Sequence, residues 1–234
     1  MCGSSFPRGS RQSLRLICRS LVALCAYLLI GSAAEAATRT ENIVFDFGDV
    51  IVINPWDTWD GPGAERYRRI AGKLQHSLVH QLWDEGYIGE EAGLALASKG
   101  ITDFSPRQVK DTLKKFFIRI FIPESVAIIK QLKERGYRLY LLSNLSRELY
   151  SRFIVNNELF KQFDGLFFSF NVGALKPDPR IYLGFFKRFG LKPQECLFID
   201  NMRENVEAGE RLGMPGIVYV PGTLERELKK RGVL

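Results

Sequence analysis

Four groups of polar residues stand at the ends of short apolar runs, and their types suit one chemistry. The run that opens at Ile43 carries Asp46, Gly48 and Asp49 at its end. Leu141-Leu142 leads into Ser143-Asn144. A glycine-containing loop holds Lys176-Pro177-Asp178. Leu197-Phe198-Ile199 leads into Asp200-Asn201, then Glu204-Asn205. A carboxylate on a loop rich in backbone N–H groups can attack phosphorus and form an aspartyl-phosphate. A hard divalent ion on oxygen ligands offsets the repulsion between that carboxylate and a phosphate. A hydroxyl and a lysine can hold the other phosphoryl oxygens. Any single Asp at a strand end is more often a helix cap or turn former. The weight lies in all four groups occurring in order.

They act together only if the elements bring them to one edge. After Pro123 the pattern alternates. Pro123–Arg135 reads as a helix with Pro at its start and Gly136 past its end. Tyr137–Leu142 reads as a strand, Ser146–Val155 a helix, Gly165–Ser169 a strand and Asp178–Phe189 a helix. Cys196–Ile199, Arg203–Leu212, Gly216–Val220 and Thr223–Arg231 continue as strand, helix, strand, helix. Strands alternating with helices predict parallel βαβ units and an α/β, Rossmann-like, doubly wound sheet. The ligand site of such a sheet lies beyond the carboxyl ends of its strands. Residues 56–121 differ: helical periodicity and several breakers predict a small α-helical insert, with residues 42–55 and 122–234 as the core.

These residues resemble the haloacid dehalogenase superfamily of hydrolases. Val44-Phe45-Asp46-Phe47-Gly48-Asp49-Val50-Ile51 looks like its opening nucleophile motif, and Leu141-Leu142-Ser143-Asn144 like its second. Lys176-Pro177-Asp178-Pro179-Arg180-Ile181-Tyr182 is similar to the third motif, the most specific match. The run from Leu197 to Gly209 looks like the fourth. The likeness covers about Asn42 to Val220, with the insert resembling a subclass I cap and the Asp-x-Gly opening resembling the sugar-phosphate (glucose-1-phosphate) phosphatase branch. The resemblance implies Asp46 as nucleophile and Mg²⁺ ligand, Ser143 and Asn144 as phosphate binders, and Lys176 as a catalytic and substrate-binding neutraliser of charge. It implies Gly48, through its carbonyl, with Asp200 and Asn201 as further Mg²⁺ ligands. The implied reaction is phosphomonoester hydrolysis of a small phosphorylated metabolite. Two positions depart from the pattern. Gly48 stands where the usual acid/base Asp is found, so the leaving-group proton must come from water, the substrate or a cap residue. Asn201 replaces a second consecutive acid and brings less charge to the metal. A metal-independent dehalogenase and a non-catalytic ligand binder are the rival readings.

Composition sets the outer bounds. A chain of 234 residues that is 46% hydrophobic and 25% charged excludes a disordered or collagen-like chain. The net charge is +7, of which three come from residues 1–36, where Arg8, Arg11, Arg15 and Arg19 face Glu35 alone. The remaining excess is mild, suits an anionic small substrate, and does not call for nucleic acid. Basic residues, the apolar run Leu21–Ile30 and Ala34-Glu35-Ala36 follow the order of a secretory signal with Ala37 as mature start. Export is therefore expected, without stable membrane insertion once the leader is cut; a tether by an uncleaved leader is the alternative. Cys2, Cys18 and Cys25 fall in that leader, and Cys196 reads as a buried small hydrophobe. Trp56 is a candidate for the cleft, while Trp59 and Trp83 are expected in the insert's core. His76 and His80, and Arg66, Arg68 and Arg69, are expected on solvated faces.

Overall fold

The computed structural model describes residues 40–56, 58–75 and 77–234. The leader and His76 lie outside the described residues.

Strand β1 (Asn42–Phe45) is the centre of a five-stranded sheet. Its partners are β4 (Arg138–Ser143), β5 (Gly165–Phe168), β6 (Cys196–Asp200) and β7 (Gly216–Val218), in the order β5-β4-β1-β6-β7. All four pairings are parallel. The expected Rossmann-like α/β arrangement is therefore present. Successive side chains of a strand point to opposite faces, so a sheet covered on both sides needs near-continuous apolar runs. Ile43, Phe45, Leu139, Leu141, Leu197 and Ile199 enter one core with Ile129 and Leu228. Val44, Tyr140, Leu142 and Phe198 enter the other with Ile181 and Phe185.

The strands and helices follow the expected order, with two differences. A helix was expected over Ser146–Val155. Arg147–Leu149 is α-helical, but Tyr150–Ile154 forms a wider π turn closed by the Val155 N–H on the Tyr150 carbonyl at 3.2 Å. The wider turn seats Tyr150 against Phe168 and Phe170, and Phe153 against Phe47 and Phe121. The second difference is the neck of the insert. β2 (Val52–Ile53) pairs antiparallel with β3 (Ile120–Phe121), Val52 opposite Phe121. Ile120 and Phe121 thus belong to this closing ribbon, not to the helical segment. Two-residue strands are too short to show a period of two.

Between β2 and β3 run helices α1 (Ala64–Gln75), α2 (Leu78–Asp84), α3 (Glu90–Gly100) and α4 (Pro106–Leu113). Ile70, Leu74, Ala97, Ile101, Val109 and Leu113 give the insert its own apolar core. Ser77 caps α2 and Ser105 caps α4 with a full capping box. Glu148 joins the insert to the main body: its carboxylate accepts from the Trp83 indole N–H at 2.9 Å and the Glu90 backbone N–H at 3.0 Å. Replacing Glu148 by Ala leaves both donors without that partner. The expected cost is about 1–3 kcal/mol in urea denaturation, with an unchanged denaturant slope.

Candidate active site

Pairing register builds the site before any side chain is considered. Phe45 lies opposite Leu141 on one side and Ile199 on the other. The next residue of β1, Asp46, therefore sits beside Asp200, and its N–H donates to the Ile199 carbonyl at 2.8 Å. Ser143 ends β4 on the other flank. Both Asp side chains are withdrawn from water, Asp46 at 7% and Asp200 at 0% exposure.

Two buried carboxylates at adjacent strand ends require a cation. Lys176, from the loop before the helix Pro179–Phe189, supplies it. Its Nζ donates to Asp46 Oδ1 at 2.7 Å, Asp200 Oδ2 at 2.5 Å and the Leu142 carbonyl at 3.0 Å. All three ammonium hydrogens are engaged. Burial pushes Asp46 up to about 6, against the pull of Lys176, and Asp200 adds to the rise. Burial also pulls Lys176 down, but Asp46 and Asp200 outweigh it and hold the ammonium above its ordinary range. The Ser143 hydroxyl donates to the Asn144 carbonyl at 3.3 Å and lies near enough to Asp46 to favour its charged form.

Asp200 is anchored from behind. Its oxygens accept from the Met202 N–H at 2.8 Å and from Asn205 Nδ2 at 3.1 Å on each, besides Lys176. The four acceptor sites of a carboxylate are thereby filled. Asn205 is held in turn by the Tyr182 hydroxyl, which donates to its carbonyl at 2.8 Å. Asn144, expected to contact phosphate, gives both ends of its amide to Lys176: Oδ1 accepts from the Lys176 N–H at 2.7 Å and Nδ2 donates to its carbonyl at 3.1 Å. It positions the lysine. Asp178 is a helix cap, accepting from the Arg180 N–H at 2.8 Å, and Glu204 is exposed in the first turn of its helix.

The loop after β1 is tight. The Phe47 carbonyl accepts from the N–H groups of Ile51 and Val52, and the Asp49 N–H donates to the Val52 carbonyl at 2.7 Å. Asp49 takes φ +56°, a left-handed conformation that Asp tolerates better than most residues. It is exposed, and Gly48 is half-buried with open space where a Cβ would stand. A Mg²⁺ site asks for hard oxygens: one or two carboxylates, with waters and phosphate completing the shell. Asp46, the Gly48 carbonyl and the Asn201 amide are oxygen donors of that kind, and no side chain fills the space at Gly48, so the donor set fits the ion. Asp200, with both oxygens engaged by protein donors, adds no free ligand atom. Among the described residues no group of three or more His, Cys, Asp or Glu could hold a metal by itself.

A cavity of about 210 Å³ adjoins this loop. Gly48, Asp49 and Asn144 line one side, and Tyr67, His80, Trp83 and Asp84 of the insert line the other. The sequence misplaced two of these roles. His80 is half-buried in the wall, with Nε2 3.6 Å from Asp84 Oδ2, and does not sit on a solvated face. Trp83 is buried in the insert as expected and also lines the cavity. Trp56 does not; it packs at 4.9 Å on Trp59, with the Lys115 ammonium 4.2 Å from its ring. Arg66, Arg68 and Arg69 are exposed as expected, and burial pushes the Cys196 thiol up to about 12, which leaves it inert.

The family model of haloacid dehalogenase-like hydrolases matches residues 40–213. The chain belongs to this family. Within it, the chain is 28% identical over 177 residues to the phosphoserine phosphatase of Thermus thermophilus, covering 74% of this chain and 64% of that one. It is 27% identical over 138 residues to the (S)-2-haloacid dehalogenase 4A of Burkholderia cepacia, covering 58% and 59%. The chain thus spans under two thirds of the length of these curated relatives. A HAD-like family hydrolase from Porphyromonas gingivalis superposes with a TM-score of 0.64 at 27% identity, covering 84% of this chain and 98% of that one. Phosphatases and a dehalogenase are both among the relatives of this chain.

Removing Lys176 tests the electrostatics directly. Lys176→Met leaves two buried carboxylates unpaired, an expected loss of about 3–5 kcal/mol near pH 8 in urea denaturation with EDTA. A carboxyl raised in the folded state favours folding below its unfolded value of 3.8, and that contribution is lost as pH rises through about 6. Without the ammonium, Asp46 rises further. The loss should therefore shrink when the comparison is repeated at pH 5.

Proposed function

We propose that the chain is a Mg²⁺-dependent phosphomonoester hydrolase acting on a small phosphorylated metabolite through an aspartyl-phosphate. The observation that carries the reading is the Asp46 carboxylate, held at the end of the central strand between the Ser143 hydroxyl and the Lys176 ammonium. Asp46 attacks phosphorus, the bond to the alcohol oxygen breaks, and water then hydrolyses the acyl phosphate. Ser143 and Lys176 hold phosphoryl oxygens and the nucleophile. Asn144 fixes the lysine's backbone, and Asp200 with Asn205 fixes its ammonium.

Charge supports the ion. Asp46, Asp200 and Lys176 together carry one net negative charge, and a phosphate monoester adds up to two more. Asp46, the Gly48 carbonyl and Asn201 would hold a divalent cation, which would supply the missing positive charge and polarise the phosphoryl group. Tyr67 and Trp83 line the cavity, and the Asp46-Phe47-Gly48 opening resembles that of the sugar-phosphate branch, so a sugar phosphate is favoured. Export from the cytoplasm, directed by residues 1–36, belongs to this proposal as well.

One observation favours a second reading, attack on carbon without metal. Lys176 already pairs with both carboxylates without any metal, and a haloacid dehalogenase is among the relatives. Phosphate release from residues 37–234 on sugar phosphates and an aryl phosphate, with Mg²⁺ and with EDTA, separates the two. Metal-dependent phosphate release is expected. Chloride release from 2-chloropropionate that EDTA leaves untouched would replace this reading with the other. Asp46→Asn should lower turnover at least about 10³-fold in either case. Gly48→Asp should fold with a denaturation midpoint near wild type, because its Cβ enters open space. It should also raise turnover of alkyl phosphates.

A further inference from the structure

A departing alkoxide needs a proton, and the buried groups on the loop side have none to give. Gly48 has no side chain. Each Lys176 hydrogen is committed to Asp46, Asp200 or Leu142, so releasing one uncovers a buried carboxylate. The Asp200 carboxylate accepts on both oxygens. Asp49 is exposed at the cavity rim.

Across the cavity the insert presents a different arrangement. His80 and Asp84 stand one turn apart on α2, with Nε2 and Oδ2 separated by 3.6 Å. Both line the cavity that Gly48 and Asn144 line from the other side. The helix is fixed at both ends: the Ser77 hydroxyl accepts from the His80 N–H at 3.2 Å, and the Ser169 hydroxyl donates to the Asp84 carbonyl. The imidazole is 31% exposed and the carboxylate 15%, so one is reachable and the other is sheltered behind it. Arg119 and Glu148 face Asp84 from the neighbouring segments. An imidazole gives and takes protons near neutral pH, and a carboxylate beside it stabilises the charged ring.

We propose that His80, oriented by Asp84, is the acid–base catalyst of this site and serves the leaving-group oxygen from the insert. The assignment rests on the phosphomonoesterase reading. In the first step the Asp46 oxygen forms its bond to phosphorus as the phosphorus–alkoxide bond breaks. The electron pair goes to the leaving oxygen, which takes a proton from the His80 imidazolium. In the second step neutral His80 takes a proton from the attacking water. The acyl phosphate breaks at phosphorus, the electron pair returns to the Asp46 carboxylate, and inorganic phosphate leaves. His80 is a catalytic residue in this scheme and Asp84 a positioning residue.

Leaving-group chemistry tests the assignment, because p-nitrophenolate departs without a proton and an alkoxide does not. Turnover of glycerol phosphate and of p-nitrophenyl phosphate would be measured in wild type, His80→Gln, Asp84→Asn and Asp49→Asn with saturating Mg²⁺. His80→Gln is expected to lose about 10²-fold or more on the alkyl ester, with little change on the aryl ester. Asp84→Asn should lose less, in the same selective pattern. Imidazole added to His80→Ala should restore alkyl turnover alone. Equal losses on both esters, which include a variant that fails to fold, overturn the assignment. So does a selective loss in Asp49→Asn with none in His80→Gln. Wild-type silence on both esters overturns the phosphomonoesterase reading and this assignment with it; aryl turnover in wild type that Asp46→Asn abolishes keeps that reading whatever His80 does.

Discussion

A buried ammonium between two buried carboxylates organises this molecule. Isolated charges at such depth are strongly disfavoured, and a pair survives only when geometry and hydrogen bonds offset the loss of hydration. Here Lys176 meets Asp46 at 2.7 Å and Asp200 at 2.5 Å. Asp46 and Asp200 are neighbours because β1 and β6 are parallel and in register. The lysine reaches them because Asn144 clamps its peptide on both sides. The sheet order, the loop after β4 and the loop that carries Lys176 are thus all tied to one electrostatic arrangement.

The same arrangement leaves the site incomplete in charge. One net negative charge faces the place where an anionic ester would dock. Asp200 has no acceptor site to spare, whereas Asp46 lies at the edge of the cavity loop with the Gly48 carbonyl close behind in sequence. The two carboxylates therefore divide their work. One is held rigid by Met202, Asn205 and Lys176, and the other keeps its burial-raised affinity for a proton or a cation. The side chains nearest the nucleophile set charge and position. Proton transfer falls to the insert, which Glu148 and Ser169 tie to the main body.

Much of this was legible in the chain itself. Near-continuous apolar runs at regular spacing imply buried parallel strands, and a strand end in such a sheet is a functional edge whatever the sequence of the loops. Asp46, Ser143, Lys176 and Asp200 could therefore be named together, and the structure gathers them. The π turn at Tyr150–Ile154 and the ribbon of β2 with β3 were not legible. The first answers to aromatic contacts from distant segments, and the second is too short to carry a period.

The sequence by itself determined the element order, the parallel sheet and the four polar groups at its edge, because these follow from local periodicity and from chirality of connection. Only the tertiary structure decided what each polar atom touches. It turned Asn144 toward the lysine backbone, filled every acceptor site of Asp200, and brought His80 into the wall opposite Gly48. Periodicity tells which face of a helix is buried. It does not tell which element lies across from that face, since that depends on packing between segments far apart in the chain.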